Sequence, residues 1–131
     1  MAGKPALIYE GQWTHTSGYL GAKQLARSGV DAIFAGNDIT AIGILQALRE
    51  LDLRVPEDVA VIGFDDLPNS VLATPQLTTV RQPVQQKGVT ATNLLLDLIE
   101  GQITSPRQVL LPTELVIRQS TGASERSAEG I

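Results

Sequence analysis

The 131-residue chain contains no cysteine, which excludes a disulfide framework, thiolate chemistry and cysteine-ligated metal sites. His15 is the single histidine, and no set of nucleophile, base and orienting residue can be assembled around it. No apolar run approaches the roughly 20 residues that a membrane helix needs, and the N-terminus lacks the apolar core of a secretory signal. These absences favour a cytoplasmic protein that is not an enzyme and uses neither a metal ion nor a cofactor.

Positive charge is also sparse. The net charge is -4, and the ten basic residues are scattered along the chain rather than clustered. A nucleic-acid-binding segment normally presents a basic face to the phosphates. We therefore expect this part of the protein not to contact DNA or RNA directly.

Three short apolar runs are each followed by a side chain that ligand sites use. The runs and the residues that follow them are 6–10 with Trp13, 31–35 with Asn37, and 59–64 with Asp65. In an open α/β sheet, ligands lie beyond the carboxyl ends of the parallel strands, so we expect these side chains to converge. One flat apolar face and two hydrogen-bonding groups suit a small polyhydroxylated ligand better than a proton-transfer reaction.

Strand and helix patterns alternate along the chain. Thr14 or Thr16 can cap a helix that stops at Gly29, and Asn37 or Asp38 can cap a second helix with apolar residues at helical spacing. This order, with connections of this length, favours right-handed crossovers and a parallel sheet. We expect strands at 6–10, 31–35, 59–64, 77–81, 109–111 and 115–118, a turn-like segment at 67–75, and a third helix from 83 to 101.

Four stretches resemble, in order and spacing, motifs of the lactose-repressor/galactose-repressor (LacI/GalR) family of bacterial transcription regulators. They are 31–43 (DAIFAGNDITAIG), 54–66 (RVPEDVAVIGFDD), 77–83 (LTTVRQP) and 111–121 (LPTELVIRQST). The resemblance covers nearly the whole chain. It implies an α/β fold of the periplasmic-binding-protein-like type I, in which ligand lies between two subdomains.

The resemblance also implies that this fold is incomplete here and consists mainly of the C-terminal doubly wound parallel-sheet subdomain. Residues 1–82 and 106–120 would belong to that subdomain, and 83–105 would be a helix of the N-terminal subdomain. The apolar stripe of that helix then needs another cover. We expect 121–131 to be a disordered polar tail, since it has nothing to bury.

The resemblance assigns effector contacts to Trp13, Asn37, Asp65 and, on the hinge side, Gln82. Two of these residues have a plainer interpretation from sequence alone: Trp13 as a core aromatic, and Asn37 as a helix cap. Asp65 and Asp66, taken in isolation, suit a metal pair, an acid/base pair or a loop cap. The resemblance gives the first aspartate to sugar hydroxyls and leaves the second structural.

Four further positions match the dimer interface of the family, namely Ile42, Gln46, Leu72 and Ala73. Ordinary packing is the alternative, above all for Ile42. The resemblance thus implies a homodimeric regulator whose effector is a sugar or sugar derivative. Operator DNA would be contacted only through a helix-turn-helix that this chain lacks.

Two other functions remain open at the level of sequence. A sugar-binding protein of an importer has the same fold, and a signal sequence upstream in the gene would favour it over a regulator. An enzyme of the flavodoxin-like or hydrolase classes is disfavoured, because no Gly-rich phosphate loop, Gly-x-Ser-x-Gly elbow or metal-ligand cluster is found.

Overall fold

A computed structural model describes residues 6–123 of the chain. Its helices and strands alternate as the sequence predicts, except that the first predicted strand, at 6–10, does not form and a short helix lies within the predicted turn-like segment at 67–75. In chain order they are α1 (His15–Arg27), β1 (Ala32–Phe34), α2 (Asp38–Glu50), β2 (Ala60–Asp65), α3 (Asn69–Leu72), β3 (Thr78–Arg81), α4 (Val84–Ile99), β4 (Glu114–Val116) and a final 3₁₀ turn (Gln119–Thr121).

The four strands form one open sheet in the order β1-β2-β3-β4. β1 pairs with β2, and β2 with β3, in parallel. The predicted α/β fold with a parallel sheet is thereby confirmed for the first three strands. β4 runs antiparallel to β3, with Val80 opposite Leu115, so the sheet is mixed at this edge.

The two long helices before β2 begin where the sequence places their caps. The Thr14 hydroxyl accepts the backbone N–H of Ser17, and the Asn37 side chain accepts that of Thr40, so each cap satisfies an orphan donor of its helix. α1 ends before Gly29, which takes a positive φ of 69°. Local sequence is sufficient to define these boundaries.

α1 and α2 lie against each other at backbone contact. A Cβ added at Gly43 would collide with the carbonyl oxygen of His15, and one added at Gly18 would collide with that of Thr40. Both helices contribute to the same buried cluster as Ile33 of β1. They therefore cover one face of the sheet together.

β2 is buried in alternation rather than evenly. Val61 and Gly63 are buried, whereas Ala60, Ile62 and Phe64 are only half-buried. An unbroken apolar run such as 59–64 predicts a strand that is covered on both faces. The structure places α1 and α2 against one face, and within residues 6–123 the other face is covered less completely.

Two of the predicted strands do not form. Residues 6–10 and 109–111 have no regular secondary structure, although both runs are apolar. A strand requires a neighbour to satisfy its backbone groups, and neither segment pairs with one in the described part of the chain. The predicted strand at 115–118 is found one residue earlier, as β4.

α4 forms where predicted but contributes nothing to the core. None of its sixteen residues is buried, and Val84, Leu95 and Leu98, which we expected to form a buried stripe, are exposed. Thr121, where the expected tail begins, closes the 3₁₀ turn instead, with Gly122 in the left-handed region. Residues 124–131 of that tail lie outside the described residues.

Candidate ligand site

The carboxyl ends of the parallel strands bring three of the predicted site residues to one edge of the sheet. Asn37 follows β1, Asp65 closes β2, and Gln82 follows β3 directly. In the β2–β3 register Asp65 lies opposite Arg81, which places Gln82 beside it. The Gln82 amide nitrogen donates to Asp65 Oδ1 at 2.5 Å. These two side chains therefore form a single polar unit at the edge.

Trp13 lies at the end of the segment that precedes α1. Its side chain is 69% exposed, which rules out a core aromatic. The indole packs against Gly36, at which any Cβ would collide with the ring. The Asn37 amide nitrogen approaches the Trp13 carbonyl oxygen at 3.4 Å. Trp13 thus lies beside Asn37 and presents a flat apolar surface to the solvent.

Asn37 serves as the cap of α2, as one interpretation of the sequence had it. Its Oδ1 accepts the backbone N–H of Thr40 at 2.8 Å. The amide has two N–H donors and two acceptor lone pairs, so capping uses only part of its capacity. The cap role and a ligand role are therefore compatible at this position.

Asp65 and Asp66 have different surroundings although they are neighbours. Asp66 accepts from Arg118 and from Arg81, each at 2.6 Å, and its side chain is only 9% exposed. Burial opposes ionisation of this carboxyl, but the bonds from Arg118 and Arg81 outweigh it and lower the pKa of Asp66. Asp65 has no arginine partner among residues 6–123 and accepts only from Gln82.

The backbone at both aspartates is unusual. Asp65 has a φ of 115° and Asp66 a φ of 56°, a region in which side chains other than glycine are strained. Arg118 joins this bend to the residue before β3, because its guanidinium also donates to the Leu77 carbonyl oxygen at 2.8 Å. The strained bend turns the Asp65 side chain toward Gln82.

The sequence does not identify Asp38 as the residue that supports this bend. Asp38 is fully buried and accepts from the Leu67 backbone N–H (2.8 Å), the Ser70 hydroxyl (2.5 Å) and the Thr79 hydroxyl (2.6 Å). The sequence indicates Asp38 only as an alternative cap for α2. A signal for its buried contacts is present in β3, since Thr79 lies on a buried strand and its hydroxyl needs a polar partner there.

The four residues predicted for a dimer interface lie on one surface. Ile42 and Gln46 of α2 face Leu72 and Ala73 across a shallow cavity of about 260 Å³. Leu72 is 79% exposed. The structure therefore brings this set together, with an apolar side chain projecting from it.

A cavity of about 1540 Å³ lies along the outer edge of β1 and is bounded by the segment before α1. Trp13 and Gly36 belong to its lining, whereas Asp65 and Gln82 do not. Among the residues described, no cluster of side chains suits a metal ion. Nor does any helix in that part of the chain have the length and apolarity to cross a membrane.

A mixed open sheet with polar side chains at its carboxyl edge is the arrangement in which open α/β folds bind ligands. Residues 3–121 match the periplasmic binding protein-like domain, and the chain belongs to this family. The LacI/GalR resemblance seen in the sequence is confirmed by the relatives that the chain matches.

Two curated relatives are transcription regulators. The chain is 39% identical over 116 residues to the HTH-type regulator CelR of Thermobifida fusca, covering 87% of this chain and 34% of CelR. It is also 39% identical over 115 residues to the repressor PurR of Escherichia coli, covering 86% and 34%. The chain thus spans about a third of the length of these relatives.

Solved structures agree with this assignment. A CelR–cellobiose complex superposes with a TM-score of 0.81 at 39% identity, covering 84% of this chain and 34% of that one. The lac repressor dimer bound to operator and the anti-inducer ONPF gives a TM-score of 0.78 at 37% identity, covering 85% and 34%.

Proposed function

We propose that this chain is the effector-sensing part of a DNA-binding transcriptional regulator, and that its effector is a sugar-like small molecule. The observation that carries the proposal is the contrast between two adjacent carboxylates. Two arginines form ion pairs with Asp66, whereas Asp65 has no arginine partner within residues 6–123 and lies beside Gln82 at the carboxyl edge. A carboxylate left to accept hydrogen bonds suits the hydroxyl groups of a sugar.

Trp13, Asn37 and Gln82 complete the proposed contact set. The exposed indole of Trp13 offers a flat surface for the C–H face of a sugar ring. The amides of Asn37 and Gln82 can each donate and accept toward adjacent hydroxyls. In the proposed roles these side chains bind and orient a ligand rather than transform it, so the proposal assigns no enzymatic activity to the chain.

The regulator is favoured over an importer's sugar-binding protein because CelR and PurR, which the chain matches over most of its own length, are both regulators. A regulator acts where the chromosome is, in the cytoplasm. Effector binding would favour one conformation by its differential affinity and so change the affinity of separate DNA-binding modules for the operator.

We further assign residues 1–82 and 106–120 to one subdomain and 83–105 to the other. No residue of α4 is buried, as expected for a helix that packs against a different subdomain. This observation supports the division. Homodimerisation through Ile42, Gln46, Leu72 and Ala73 belongs to the same proposal, supported by their common surface.

Asp65→Asn tests the site. Asparagine tolerates a positive φ and keeps the shape of the side chain while it removes the charge. Because the chain spans about a third of the length of its relatives, we expect it to supply only part of the enclosing contacts and to bind sugar at about millimolar concentration. Binding is followed by NMR shifts of the ¹⁵N-labelled chain with cellobiose, ribose and sucrose. We expect a sugar that shifts Trp13 and Asp65 in the parent chain to lose its effect in Asp65→Asn.

Asp52→Asn is the matched control, because Asp52 also has a positive φ but follows α2, remote from the carboxyl edge. It should bind the same sugar as the parent chain. Equal binding by both variants would remove Asp65 from the site. No response to any of the three sugars would contradict the assigned ligand class for this chain.

A further inference from the structure

Beyond the proposed contact set, Gln82 has a second partner. Its Oε1 accepts from the ammonium group of Lys87 at 2.9 Å, while its Nε2 donates to Asp65 Oδ1. Lys87 lies in the first turn of α4, five residues further along the chain. The three side chains form a continuous row from α4 to the end of β2.

The chemistry of the outer two groups fixes the orientation of the amide between them. An ammonium group has only donors, and an ionised carboxylate has only acceptors. The Gln82 amide can satisfy both in one orientation alone, with oxygen toward Lys87 and nitrogen toward Asp65. Without Lys87, the bond to Asp65 is the one side-chain hydrogen bond among residues 6–123 that still holds the amide.

The position of α4 depends on this row of hydrogen bonds, because the helix has little other support. None of its residues is buried. Of the side-chain hydrogen bonds in the described part of the chain, the bond from Lys87 to Gln82 is the only one that joins α4 to a residue outside the helix. Thr92 bonds within α4, to the Gly88 carbonyl oxygen. The side-chain hydrogen bond that joins α4 to the rest of the described chain therefore leads, through Gln82, to Asp65.

We propose that Lys87 is a positioning residue of the ligand site, which holds the Gln82 amide in its donating orientation toward Asp65 and so links α4 to that carboxylate. The role in ligand binding rests on the proposed function, whereas the orientation of the amide does not. A hydroxyl group that binds beside Asp65 then meets a Gln82 amide that is already fixed in place, so that amide does not have to be ordered when the ligand binds.

The first test needs no ligand. We expect the side-chain amide signals of Gln82 in ¹⁵N-edited NMR spectra to show one hydrogen-bonded orientation in the parent chain. In Lys87→Met the shifted proton should move toward the value of a free amide, because the amide loses the partner that holds its oxygen and spends more time turned away from Asp65. Lys87→Arg keeps the donors and should preserve the parent signals.

Gln86→Met is the matched control, since Gln86 is the exposed neighbour on the same turn. It should leave the Gln82 amide unchanged. Unchanged Gln82 signals in Lys87→Met would overturn the proposal whatever the chain binds. This readout therefore separates failure of the Lys87 role from failure of the sugar assignment.

The second test uses cellobiose as the probe in a double-mutant cycle. Lys87→Met should weaken cellobiose binding about threefold, the scale of one exposed polar contact. In a Gln82→Leu background the same substitution should have no further effect, because Lys87 acts through that amide. Independent, multiplying effects of the two substitutions would contradict a positioning role.

Discussion

At the scale of the residue, Asp65 and Asp66 demonstrate that surroundings rather than side-chain type decide a role. Both lie at the end of β2 with a positive φ, but only Asp66 is enclosed by Arg81 and Arg118. Removing one member of a buried ion pair leaves the other charge desolvated without compensation. The two aspartates should therefore respond differently to the same substitution.

Asp66→Asn should lower the free energy of unfolding by about 3 kcal/mol, because two arginines lose their carboxylate at a nearly buried position. Asn accepts the left-handed backbone, so the loss reports the charge rather than strain. Urea denaturation followed by circular dichroism measures it. Asp65→Asn, one residue earlier and without an arginine, is the control and should be close to the parent. Equal stability of both variants would refute the structural role of Asp66.

The pH dependence of stability follows from the same ion pairs. The folded-state pKa of Asp66 is lowered, so the unfolded chain binds its proton first as the pH falls. The stabilisation is complete above the ordinary aspartate pKa near 3.8 and is lost as the pH drops through the lower folded value. Asp66→Asn should therefore show a flatter stability profile below pH 4 than the parent chain.

At the scale of the element, the sequence predicts those helices and strands whose signals are local. Thr14 and Asn37 cap their helices, and the apolar run at 59–64 forms β2 nearly as expected. The runs at 6–10 and 109–111 carry similar signals but stay irregular, because a strand also needs a partner strand. The buried contacts of Asp38 escaped prediction for a related reason: its partners lie 29 to 41 residues away in sequence.

Two helical glycines should respond in opposite directions to replacement by alanine. At Gly43 the new Cβ would collide with the backbone of α1, so Gly43→Ala should cost about 2 kcal/mol or more of unfolding free energy. At Gly88 of α4 no atom lies near the new Cβ, and alanine is the better helix former by about 1 kcal/mol.

Urea denaturation measures the cost at Gly43, and backbone hydrogen exchange measures the gain at Gly88. Gly88→Ala should slow exchange within α4 and leave the unfolding midpoint of the core unchanged. A lower midpoint in Gly88→Ala would mean that α4 packs against the rest of the chain. A normal midpoint in Gly43→Ala would show that α1 and α2 can separate without cost.

At the scale of the whole molecule, two of the surfaces on which residues 6–123 expose apolar side chains bear on dimerisation. One has the exposed Leu72 and the half-buried Ile42 beside the shallow cavity, and the other is α4 with Leu95 and Leu98. Large exposed apolar areas are typical of interaction sites. The sequence resemblance assigned the dimer to the first surface, whereas the structure alone offers both.

We expect light scattering to give the mass of a dimer, formed through the first surface. Leu72→Glu would place a charge among apolar groups in that interface, and it should shift the mass to that of a monomer. Leu95→Glu on α4 is the matched control, with the same change at a comparably exposed leucine, and should remain dimeric. A dimer that dissociates with Leu95→Glu but persists with Leu72→Glu would move the interface to α4. A monomeric parent chain would mean that the Ile42 and Leu72 surface does not suffice for dimerisation. That result would favour the alternative function, a sugar-binding protein of an importer.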